Sequence, residues 1–148
     1  MVGRLARYLR FVGCDTEYAR GLSDDQVLEK AKAEDRVILT RDRGLALRSS
    51  RAFLLGSTEI SEQFRAVRRK WPSVPTEPRF ERCTECNGSL APYRRGTDPS
   101  REEGLPMGPD AEQRPVYACA ACGHLYWEGS HTATIRKRLD AWSRGVSE

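Results

Sequence analysis

Two C-x-x-C pairs constrain this chain more than any other feature: Cys83-Thr84-Glu85-Cys86 and Cys119-Ala120-Ala121-Cys122. Each is followed at once by a turn-forming stretch, Asn87-Gly88 after the first and Gly123 after the second. A knuckle of this kind aims two thiolates at one point, and two knuckles complete the tetrahedral four-cysteine set that structural zinc favours. Four thiolates fill the coordination sphere, so the expected Zn2+ on Cys83, Cys86, Cys119 and Cys122 is structural rather than catalytic. The segments Val116-Tyr117-Ala118 and Leu125-Tyr126-Trp127 flank the second knuckle like the arms of a hairpin, and Arg94 to Arg114, with its glycines, prolines and charges, reads as a loop between ribbon strands. The fifth cysteine, Cys14, lies far from either pair and reads as a small buried apolar residue.

Upstream, the pattern changes to alternating helices and strands. Gly3 to Val12 places Leu5, Tyr8, Leu9 and Val12 on one helical stripe, while Arg4, Arg7 and Arg10 form a second, basic stripe that either grips phosphates or stays hydrated. Residues 15–19 are a weak strand candidate. Ser23-Asp24-Asp25-Gln26 has the form of a capping box ahead of Val27, Leu28 and Ala31. Val37-Ile38-Leu39 reads as a buried parallel strand that delivers Asp42 to the carboxyl edge of a sheet, with Asp42 also suited to cap the helix after it. Ala52 to Leu55 reads as a further strand, and Glu59 to Trp71 as a helix with Ile60, Phe64, Val67 and Trp71 on one face. Such alternation implies a parallel sheet with helical crossovers.

The expected organisation is an α/β domain over residues 1–71, a proline-rich linker over 72–81, a zinc ribbon over 82–131 and a C-terminal amphipathic helix over 132–148. Within that helix Ile135, Leu139 and Trp142 share a face. Charge follows the same division: residues 1–71 carry 15 Lys/Arg against 10 Asp/Glu, whereas residues 72–148 carry 10 against 11. A basic excess on the half that holds Asp42 suits a polyanionic partner such as nucleic acid, or serves solubility alone. No run of eighteen apolar residues exists and no signal-peptide pattern opens the chain, so no membrane span and a cytoplasmic location are expected.

Taken together, Gly3 to Gly13, the Asp24-Asp25 helix start, Leu39-Thr40-Arg41-Asp42-Arg43, Glu62-Gln63, Arg82 to Asn87 and Tyr126-Trp127-Glu128-Gly129-Ser130-His131 resemble the Mut7-C ribonuclease domain family, in order and over nearly the whole chain. The resemblance implies a PIN-like three-layer fold, a parallel sheet with helices, joined to the C-terminal zinc ribbon. It also implies Mg2+- or Mn2+-dependent RNA hydrolysis, with Asp42 matching the family's Thr-x-Asp carboxylate, Asp24 the acidic residue opening the second helix, and Asp25 its neighbour. Arg4, Arg7, Arg10, Arg41, Arg43 and His131 are the expected RNA contacts, although a histidine beside a tight turn is also a common structural hydrogen-bonder. In the family pattern a strand ending in Asp precedes the Val2-Gly3-Arg4-Leu5-Ala6-Arg7 helix. That strand and its Asp do not occur in the sequence as given, which leaves two expectations: a start set too late, or a shortened form whose sheet is one strand and one metal ligand short, with an edge that another subunit would cover. The alternative expectation is a non-catalytic zinc-ribbon nucleic-acid-binding or adaptor protein with a degenerate PIN-like half; a protein-binding zinc module is a third.

Overall fold

The computed structural model describes residues 2–145 as a mixed α/β protein with two small sheets. Its first half runs α1 (Val2–Phe11), α2 (Asp24–Ala33), β1 (Ile38–Thr40), α3 (Arg43–Leu47), β2 (Ala52–Leu54) and α4 (Ile60–Lys70). β1 and β2 pair in parallel, Ile38 opposite Ala52 and Thr40 opposite Leu54, with α3 as the crossover. The capping box at the head of α2 forms as its sequence requires: Ser23 Oγ accepts from the Gln26 amide, and Gln26 Oε1 accepts from the Ser23 amide.

The expected strand at residues 15–19 does not form, and the parallel sheet of the described residues holds two strands rather than three. The backbone there is held by side chains instead of a ladder: the Thr16 amide donates to Asn87 Oδ1 at 2.9 Å, and the Thr16 carbonyl accepts from Arg10 Nε at 2.7 Å. Once those groups are satisfied, Thr16 has no backbone hydrogen bond left to recruit a strand partner.

The second half contains β3 (Leu90–Tyr93), a 3-10 turn at Pro99–Arg101, α5 (Pro109–Glu112), β4 (Val116–Cys119), β5 (Leu125–Trp127) and α6 (Ser130–Ser143). β3, β4 and β5 form an antiparallel sheet in that order, and the two arms expected around the second knuckle pair as Val116 with Trp127 and Ala118 with Leu125. The long connection from Arg94 to Arg114 is not a bare loop, because its Leu105 is buried with Val116 and Leu125.

The principal core joins elements far apart in sequence. Leu5, Leu9 and Val12 of the α1 region meet Leu55, Phe64 and Val67, and α6 closes the cluster with Leu139 and Trp142. Trp142 lies 4.7 Å from the ring of Tyr8 and 5.9 Å from that of Phe64. The proline-rich segment is fastened to this core, with the Arg79 amide donating to the Phe11 carbonyl and Val74 packed against the cluster. Among the described residues no helix is long and apolar enough to cross a membrane.

Asp15 joins the halves. It accepts from Arg36 through both oxygens at 3.1 and 3.2 Å, accepts from Asn87 Nδ2 at 2.7 Å, and lies 3.6 Å from Arg82. The Arg36 hydrogen bonds hold its carboxyl below the usual range, against a smaller opposing push from burial.

Candidate functional site

The four cysteine thiols of the knuckles converge. All four Sγ atoms lie within 4.8 Å of one another, with 3.6 Å between Cys83 and Cys122 and 3.5 Å between Cys86 and Cys119. Zn–S bonds of about 2.3 Å in a tetrahedron separate the sulfurs by about 3.8 Å, so this donor set fits Zn2+. Local chain geometry makes the convergence possible. Asn87 adopts a left-handed conformation (φ 67°) and donates its amide to the Cys83 carbonyl; Gly123 (φ 77°) does the same toward Cys119. Gly88 has no room for a side chain, because a Cβ there would sit 2.8 Å from Cys119 Sγ.

The thiols differ in setting. Cys83 and Cys119 are buried, Cys86 and Cys122 exposed. Burial opposes ionisation of Cys119, yet the amides of Cys122 and Ala121 and the neighbouring thiols of Cys86 and Cys122 together outweigh it and bring the thiol down to about 7. A further group supports Cys83: the Tyr126 hydroxyl lies 3.0 Å from its sulfur and accepts the Thr84 amide at 3.1 Å, so it can donate to a metal-bound sulfur there. Tyr126→Phe is expected to release zinc about tenfold faster to a chromophoric chelator, at an unchanged melting temperature of the N-terminal half. An unchanged release rate would show that the hydroxyl does not tune the site.

Two of the three candidate carboxylates line a different region, a cleft of about 800 Å3 bounded by α1, α2 and the edge of β1 that faces away from β2. Asp42 lies two residues beyond the end of β1 and caps α3, its Oδ1 accepting the Leu45 amide at 3.0 Å while its own amide donates to Thr40 Oγ1. Asp42 remains exposed while it caps. Asp24 and Asp42 both line this cleft, whereas Asp25 does not and is paired with Arg48, which also lies 3.9 Å from Asp24. Asp24, Asp25 and Asp42 therefore do not converge as a three-carboxylate set; among the described residues the only group of three or more metal-ligating side chains is the cysteine cluster. Two carboxylates completed by water and substrate phosphate are a normal protein share for Mg2+. Arg41 and Arg43 are exposed on either side of Asp42.

The basic stripe of α1 lies elsewhere. Val2, Leu5, Ala6 and Leu9 face the acidic cleft, while Arg4, Arg7, Tyr8 and Phe11 face a second cleft of about 490 Å3 between α1, the ribbon and the start of α6. The helix thus separates its arginines from the carboxylates that a single RNA site would place beside them. Arg10 departs further from expectation. It is 6% exposed, and its guanidinium donates to the carbonyls of Thr16, Thr84 and Glu85 at 2.7, 3.0 and 3.0 Å. It is a buried strut between α1 and the first knuckle, with Nε and Nη1 engaged on carbonyls. Arg7 is exposed and paired with Glu85.

His131 lies at the exposed start of α6 and lines the second cleft, joined there by His124 and Arg138, which the sequence reading overlooked. A signal for Arg138 exists, since His131, Ile135 and Arg138 follow the i, i+4, i+7 rule on α6. For His124 it is weaker, a position two residues beyond a zinc ligand.

No curated protein and no solved structure matches this chain. One family model does, the Mut7-C RNAse domain, which covers residues 1–139. The chain belongs to that family of ribonuclease domains.

Proposed function

We propose that this protein is an Mg2+- or Mn2+-dependent ribonuclease, its first half a PIN-like α/β unit and its second a structural zinc ribbon. The observation that carries the reading is the position of Asp42, at the carboxyl end of a parallel strand on the rim of the larger cleft and lining it together with Asp24, in a chain of a ribonuclease-domain family. Hard divalent cations prefer such oxygens, and a bound Mg2+ or Mn2+ would neutralise phosphate charge and lower the pKa of an attacking water. The chain's own residues define the rest. The Leu45 amide fixes one Asp42 oxygen and leaves the other for the metal, while Thr40 Oγ1 holds the turn. Arg48, paired with Asp25 and near Asp24, is the internal cation that a metal would partly displace. Arg41 and Arg43 flank the carboxylate where the RNA backbone would lie.

The test is cleavage of an end-labelled single-stranded RNA by zinc-loaded protein with Mn2+, with Mg2+, and with neither. The expected result is metal-dependent cutting that Asp42→Asn lowers at least about a hundredfold, the loss of a charged metal ligand. Asparagine caps helices as well as aspartate, so α3 survives the change and the loss reports on charge. Equal cutting by wild type and Asp42→Asn would refute this assignment of the site.

A further inference from the structure

We propose that the second cleft, between α1, the zinc ribbon and α6, binds single-stranded RNA at a place separate from the carboxylates. The choice of RNA among polyanions rests on the ribonuclease reading, and the rest follows from the cleft itself. Both histidines of the chain line it, together with Arg4 and Arg7, and among the described residues its wall holds one carboxylate, Glu85, which Arg7 already engages. That charge imbalance is complementary to a phosphodiester chain. Arg4 is exposed on the wall, and among the described residues it has no hydrogen-bond or ion-pair partner.

The cleft also offers a surface for a base. Phe80 lines it and is backed by Tyr117, with ring centroids 5.0 Å apart and planes 4° from parallel. A ring fixed in this way is a ready stacking partner, and stacking on aromatics is how sequence-tolerant proteins hold unpaired bases. A volume of about 490 Å3 is in the range of small-ligand pockets, room for an unstacked nucleotide and its phosphate but not for a duplex. The cleft borders the first knuckle, with Thr84 and Glu85 in its wall, so the metal centre shapes it.

The experiment is fluorescence anisotropy of a labelled eight-nucleotide single-stranded RNA with the zinc-loaded full chain, no Mg2+ or Mn2+ being added. Binding is expected to weaken about tenfold in Arg4→Glu and severalfold in His131→Gln. Removing one phosphate contact should also flatten the slope of log affinity against log salt by about 0.7. Arg69→Glu, the same charge change on the exposed end of α4, is the control and is expected to cost little. Equal losses in Arg4→Glu and Arg69→Glu, no binding by the wild type, or tighter binding of a duplex of the same length would each overturn the proposal. Displacement of the RNA by polyglutamate at equal charge would overturn it in favour of an acidic protein segment. Because binding is read without the catalytic metal, it stands or falls independently of the Asp42 cleavage test.

Discussion

Trp142→Ala is expected to lower the stability of the N-terminal half by about 3–5 kcal/mol, the range for deleting a large buried side chain whose site collapses only partly. Trp142 is 2% exposed and its ring is packed between Tyr8 of α1 and Phe64 of α4. Removing it also leaves Leu139, Phe64 and Val67 beside a void, because these residues share one buried cluster. The effect is thus felt some seventy to one hundred and thirty residues upstream of the substitution, roughly the separation of α4 and α1 from the end of α6. Urea unfolding followed by far-ultraviolet circular dichroism measures it, and the midpoint should fall with little change in slope. A loss below about 1 kcal/mol would mean that α6 is an appended helix and not part of this core.

That expectation is only half legible in the sequence. The periodicity of Ile135, Leu139 and Trp142 identifies an apolar helical face, yet nothing local says which surface will cover it. The same limit applies to the arginines of α1. Spacing correctly puts Arg4, Arg7 and Arg10 away from the core stripe, but which of them meets solvent and which meets a knuckle carbonyl depends on a segment about seventy-five residues later. By contrast, the cysteine cluster, the α2 capping box and the Asp42 cap are legible because each rests on contacts between residues close in sequence or on a donor set that has few other uses. The two-stranded parallel sheet falls between these cases. Strands β1 and β2 are short apolar runs that local composition reveals, whereas residues 15–19 compose a strand locally and are claimed by Asn87 and Arg10 from afar.

Removing the metal is the second large effect expected, and its reach beyond the ribbon is the informative part. Among the described residues the ribbon's own buried apolar cluster is Leu105, Val116 and Leu125, too little to hold it folded alone, so zinc held by the four cysteines would supply most of its folding free energy. Stripping zinc, or Cys83→Ser, should therefore unfold residues 82–128 as a unit. The first knuckle also supplies two of the three carbonyls that accept from Arg10, and Asn87 anchors the Thr16 amide and Asp15. Once the knuckle unfolds, Arg10 regains water but its tether is lost, and the last turn of α1 together with residues 14–17 should open locally rather than globally. Hydrogen exchange of metal-loaded and metal-stripped protein distinguishes the outcomes. Faster exchange is expected throughout the ribbon and at the amides of Cys14 and Thr16, whereas α4 and β1 keep their protection because their contacts lie in the core that α1, α4 and α6 share and around α2 and α3. Unchanged exchange at Thr16 would show that the two halves fold independently despite their shared hydrogen bonds.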